Sequence, residues 1–114
     1  KKELENVKTI IDFGCGTGDS SIVFNIFLPK ANVFLHDFSE VAVKKGLKKY
    51  ERFLNVGIAN LEIQKFDLVY TSNVIEHVLD PKLFVEELIN LTNKYIIIQC
   101  PYKEYHPDGK NITP

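Results

Sequence analysis

The stretch Asp12-Phe13-Gly14-Cys15-Gly16-Thr17-Gly18 sets three glycines at every second position, directly behind the apolar run Thr9–Phe13. Glycine there permits positive φ and leaves no side chain to hold a ligand away from the backbone. A helix opening behind such a turn presents N–H groups and a positive dipole end. The chemistry is a cradle for the polar part of a nucleotide-like ligand. A dinucleotide cradle needs Gly-x-Gly-x-x-Gly, which puts its third glycine at position 19. Asp19 stands there instead, and a carboxylate at that helix mouth repels a pyrophosphate. Together with Asp12 it favours a ligand that lacks phosphate and carries some positive charge. Asp37, at the end of the next apolar run, can accept hydrogen bonds from both hydroxyls of a ribose. Its alternative duty, capping the following helix, is already filled by Ser39.

The elements that must position these groups alternate. Strands are expected at Thr9–Phe13, Asn32–His36, Phe66–Thr71 and Tyr95–Gln99, with a short one somewhere in 53–63. A largely buried helix is expected over Ser20–Leu28, with Asp19 near its cap and Pro29 ending it. A second helix opens at Ser39 and carries an apolar stripe of Val43, Leu47, Tyr50 and Leu54. Ser72–Val78 reads as a loop entering a short helix. Asp80 then caps a helix with Pro81 in its first turn and Phe84, Leu88 and Leu91 inside. This alternation predicts an α/β fold: a Rossmann-like, mostly parallel sheet with helices on both faces. Ligands of such sheets bind beyond the carboxyl ends of the strands. The glycine turn, Asp37, Thr71–Asn73 and Gln99–Tyr102 all fall there.

The chain has 114 residues, a formal charge of −1 and 45% apolar residues, which bounds it to one globular domain. The charge gives no reason to expect nucleic acid, and no apolar run is long enough for a membrane span. Lys44, Lys45, Lys48 and Lys49 share helical spacing and read as a solvated face. Two cysteines, Cys15 and Cys100, make no disulfide framework, which suits a reduced, cytoplasmic setting. The chain has no methionine and its C-terminal part turns polar and irregular, so a piece of a longer protein is expected.

The glycine motif, Asp37-Phe38-Ser39-Glu40-Val41-Ala42 and Phe66-Asp67-Leu68-Val69-Tyr70-Thr71-Ser72-Asn73-Val74-Ile75-Glu76-His77-Val78 together resemble the class I S-adenosylmethionine-dependent methyltransferases. The likeness runs from Thr9 to Tyr102 and is strongest to small-molecule enzymes such as the ubiquinone-biosynthesis O-methyltransferases. It implies S-adenosyl-L-methionine as cofactor, with Asp12, Gly14, Cys15, Gly16 and Gly18 against its amino-acid part. Asp37 would take the ribose, Phe38 the adenine face and Asn60, with Glu62 as a competitor, the adenine amine, where the family often has an aspartate. Ser72 and Asn73 would lie beside the sulfonium and the acceptor. Tyr70 or Tyr102 could face the sulfonium as well as pack. Glu76 and His77 admit three readings: structural, with His77 as a general base, or, with His106, as metal ligands. Asn73 replaces a carboxylate in that last pattern.

The resemblance also implies that the C-terminal strand pair of the seven-stranded fold is missing, so that 1–114 is a single partial domain with its cofactor-binding half at about 9–71. The expected function is methyl transfer to a small-molecule acceptor, a metabolite or sugar intermediate, with no nucleic-acid or membrane partner. An exposed sheet edge leaves homodimerisation open. The alternatives are a degenerate methyltransferase-like module that binds partners without turnover, and an NAD-dependent oxidoreductase, against which Asp19 speaks.

Overall fold

The computed structural model describes residues 4–52, 54–99, 104–105 and 111–112. Its main sheet contains β1 (Thr9–Phe13), β2 (Asn32–His36), β3 (Val56–Ile58), β4 (Phe66–Ser72) and β5 (Thr92–Gln99). Their order is β3-β2-β1-β4-β5, and every pairing is parallel. Three helices connect them: α1 (Ser20–Phe27), α2 (Glu40–Tyr50) and α3 (Pro81–Leu91). A separate antiparallel ladder pairs β6 (Glu104–Tyr105) with β7 (Asn111–Ile112).

The two faces of the sheet divide the core in two. Ile10, Val33, Leu35 and Leu68 face one side with Val43 of α2. Ile11, Phe13, Phe66 and Val69 face the other with Phe84 and Leu88 of α3. Local caps hold the helix starts as the residue types dictate. Ser39 accepts the Ala42 N–H at 3.2 Å, and Asp80 accepts that of Leu83 at 3.1 Å.

Three expectations are corrected. The α1 helix is less buried than expected: Ile22, Val23, Ile26 and Phe27 are all exposed. Only one side of an eight-residue helix can lie on the sheet, and Ser21 is its one buried residue. The α2 helix stops at Tyr50, and Leu54 follows in a turn whose N–H donates to the Tyr50 carbonyl. Finally, β5 begins at Thr92 rather than Tyr95 and is half-buried, not covered on both faces. It occupies the sheet margin, and a register shift opposite Phe66–Leu68 accommodates its polar start.

Candidate active site

The carboxyl ends of β1, β2 and β4 converge on the glycine turn. Gly14, Gly16 and Gly18 have φ of 82°, 55° and 77°, so all three use the left-handed region. Each contact has a distinct character. A Cβ at Gly14 would stand 2.4 Å from Val74 Cγ2, so the loop after β4 packs directly on the turn. A Cβ at Gly18 would crowd Leu35 at 3.0 Å. At Gly16 nothing lies within 4 Å, and this is the open side from which a ligand can approach the backbone.

The N–H groups of the turn are less free than the sequence suggests. The His36 carbonyl accepts from Gly14 at 2.7 Å and from Cys15 at 2.9 Å, and the Cys15 carbonyl accepts from Gly18 at 2.9 Å. Gly16 donates to Asp37 Oδ2 at 2.7 Å. The other carboxylate oxygen of Asp37 accepts from Ser39 N–H at 2.9 Å. Asp37 is thus fixed by the backbone on both sides, with oxygen lone pairs left over for hydroxyl donors. A hollow of about 310 Å³ opens beside it, lined in part by His36, Glu40, Lys44, Ile58 and Ala59.

Two acidic groups take different parts from those their positions suggested. Asp12 is buried, and its side chain accepts from the Ser20 hydroxyl in the first turn of α1. Burial pushes its pKa from 3.8 up to about 6; the Ser20 bond opposes the rise and the Asp37 charge adds to it. Asp19 stands at the α1 N-cap position but makes no cap bond. Its exposed carboxylate instead meets the Tyr50 hydroxyl and Lys49 Nζ, the latter at 3.3 Å, and these bonds hold its pKa below the usual value. Asp12, rather than Asp19, is therefore the carboxylate buried under the turn.

The remaining candidates are spread around this centre. Cys15 is half-buried, and its thiol donates to the Gly16 carbonyl at 3.2 Å. Burial, with the Asp12 and Asp37 charges, pushes the thiol up to about 12. Phe38 is exposed, and its ring stands edge-on to Phe13 with centroids 6.4 Å apart. His36 stacks on Phe13 at 4.6 Å, and burial lowers its pKa. Ser72 ends β4 opposite Gln99, and Asn73 follows at φ 59°, donating its N–H to the Gln99 carbonyl at 2.8 Å. Tyr70 packs edge-on against Phe24 at 5.0 Å and donates its hydroxyl to Gln99 Oε1.

Glu76 and His77 are exposed on a single 3-10 turn, Ile75–His77. Asn60 turns its side-chain oxygen back to the Glu62 N–H at 3.1 Å, and its own N–H donates to Gln64 Oε1. His106, Cys100 and Tyr102 lie outside the described residues. Among the described residues no three His, Cys, Asp or Glu side chains gather as a metal site. Sequence reasoning missed Ser20, Gly46 and Tyr50. Ser20 is the first residue of α1, directly behind the glycine turn, and its hydroxyl reaches back to Asp12. The partners of Gly46 and Tyr50 are distant in sequence and left no local signal.

A family model described as a methyltransferase domain matches residues 4–111. The chain belongs to that family. This methyltransferase domain also shares its fold with solved methyltransferases. One is the plantazolicin methyltransferase BpumL in complex with a monoazolic desmethylPZN analog and SAH, with TM-score 0.69, 19% identity, and coverage of 83% of this chain and 39% of that one. Another is PKMT2 from Rickettsia typhi in complex with AdoHcy, with TM-score 0.68, 24% identity and coverage of 91% and 22%. A third is an S-adenosylmethionine-dependent methyltransferase from Clostridium acetobutylicum ATCC 824, with TM-score 0.67, 15% identity and coverage of 85% and 44%. The domain spans less than half the length of each. No curated protein matches it. Among the described residues no helix is long and apolar enough to cross a membrane.

Proposed function

We propose that this domain binds S-adenosylmethionine and serves methyl transfer to a small-molecule acceptor. The observation that carries the reading is the placement of two carboxylates around one open backbone turn. Asp37 is pinned between Gly16 and Ser39 beside the hollow, and Asp12 is buried beneath the turn. A buried carboxylate whose main charged neighbour is another carboxylate fits a cationic ligand group. The residues present therefore suit an amino-acid ammonium at one end and a ribose diol at the other.

In this reading Asp37 accepts from the ribose hydroxyls and Asp12 balances the ammonium. Phe38 offers an exposed ring to the adenine face, and Asn60 offers its amide edge. Ser72 and Asn73 border the path to the acceptor at the end of β4. When bound, the cofactor supplies a methyl group already activated on a sulfonium. The protein's share is then to position the acceptor in line and exclude water, an effect worth several kcal/mol. The exposed His77 would take a proton from an acceptor that needs deprotonation.

Calorimetric titration with S-adenosylhomocysteine tests the reading, with Asp37→Ala as the control. Micromolar binding that vanishes in the variant is the expected result. A folded chain that binds nothing refutes the proposal for this chain and favours a non-catalytic module. Methyl-transfer assays on small hydroxylated metabolites against short peptides test the acceptor class, and a preference for peptides would overturn that part.

A further inference from the structure

A turn with three glycines in the left-handed region has more conformations to lose than any other segment of this length. Something must hold it in one shape before a ligand arrives. The end of β2 does part of this through His36 and Asp37. The other part comes from the body of α2. A Cβ at Gly46 would lie 2.4 Å from the Thr17 carbonyl oxygen and 2.8 Å from its carbon, so the helix backbone abuts the turn directly. Tyr50 lies one helical turn further along the same face. It is 7% exposed, and its hydroxyl meets the Asp19 carboxylate. Lys49 reaches the same carboxylate, and the Thr17 hydroxyl bonds to it at 3.3 Å.

Asp19 forgoes an ordinary function to make this link. At a helix N-cap its side chain would normally accept from the first-turn N–H groups, and here it does not. The exposed Lys49 pair is weak in water. The bond from the hydroxyl of the largely buried Tyr50 to a charged acceptor is the stronger tie. The helix so anchored starts three residues after Asp37, the carboxylate assigned to the ribose.

We propose that α2 is a brace that sets the shape of the glycine turn, with Gly46 and Tyr50 as positioning residues for a cofactor they do not touch. The inference rests on the proposed cofactor reading for its binding consequence, and on the ligand-free turn for its structural one. Two measurements on the whole 114-residue chain separate these. The first is amide hydrogen exchange at Gly16–Asp19 without ligand. Tyr50→Phe keeps the ring and its packing, yet exchange should quicken roughly tenfold, as expected for losing one hydrogen bond to a charged group. Unchanged exchange overturns the brace whatever the domain binds.

The second is S-adenosylhomocysteine titration of Tyr50→Phe, Asp19→Ala and the double variant. Each single change should weaken binding roughly tenfold, and the double should be no worse than either. Variants that melt earlier but bind like the wild type reduce the contact to ordinary packing and overturn the proposal. A wild type that binds nothing, with exchange still quickened in Tyr50→Phe, refutes the cofactor reading and leaves the brace standing. Gly46→Ala should act in the same direction. Should it fail to fold, Tyr50→Phe still decides.

Discussion

Replacing Asp12 with asparagine should make the protein more stable at neutral pH and weaken its hold on the cofactor. Asp12 is 3% exposed, and burial lifts its pKa from 3.8 to about 6. The folded state therefore keeps this proton to higher pH than the unfolded chain does. The associated stability is fully present below about pH 4 and is lost as the pH rises to about 6. One pKa unit is worth about 1.4 kcal/mol, so the loss is about 3 kcal/mol above pH 6. Asparagine has the same shape, stays neutral and can still accept from Ser20. It should recover about 1–3 kcal/mol at pH 7.5, less whatever its amide N–H groups lose for want of partners.

Urea denaturation from pH 4 to 8 reads this directly. His36 contributes with the opposite sign, because burial lowers its pKa and the folded form favours the neutral ring. The difference between variant and wild type removes that contribution. The difference should be near zero at pH 4, grow toward pH 6 and level off above it. A flat difference, or a variant weaker than wild type at pH 7.5, refutes the burial argument. A variant that is more stable and still binds S-adenosylhomocysteine normally refutes the role given to Asp12 at the ammonium.

Other outcomes follow from the same geometry. Gly14→Ala must place a methyl 2.4 Å from Val74 at φ 82°, and should lower the urea-derived stability by about 2 kcal/mol or more. A loss within error would show that the loop after β4 does not rest on the turn. Ser20→Ala removes the one bond that lowers the Asp12 pKa. The pH at which Asp12 ionises, followed by carboxyl carbon NMR, should therefore rise above about 6. In a Cys100→Ser background, Cys15 should alkylate far more slowly at pH 7.5 than a free thiol, because its pKa is pushed to about 12. Equal rates in folded and denatured protein would contradict that environment.

Much of the candidate site's local geometry was legible because its signals are local. Three glycines at alternate positions behind an apolar run leave few alternatives to a tight strand-to-helix turn, and Ser39 and Asp80 cap the helices that directly follow them. What escaped depends on partners far away in sequence. Asp19 read as a helix-mouth carboxylate, yet Tyr50, 31 residues on, draws it aside. The apolar character of α1 read as a largely buried helix. A short helix on one face of a sheet buries a single stripe, and sequence composition carries no record of what covers the rest. Asn93 and Lys94 disguised the start of β5, because a strand at the sheet margin tolerates polar residues that a central one does not.

The central position of β1 also bears on how the chain folds. Its partner on one side, β2, is next in sequence, but on the other side Ile10 pairs with Leu68. Closing that parallel pairing requires most of the intervening chain to be gathered first, and such non-local contacts form slowly. Val74, on the loop after β4, packs on Gly14 across this same junction. The glycine turn is therefore complete only where β1 and β4 have joined, and a ligand that needs it would select molecules whose two halves are already together. Added cofactor should act mainly by slowing the escape of finished molecules back to the half-assembled state.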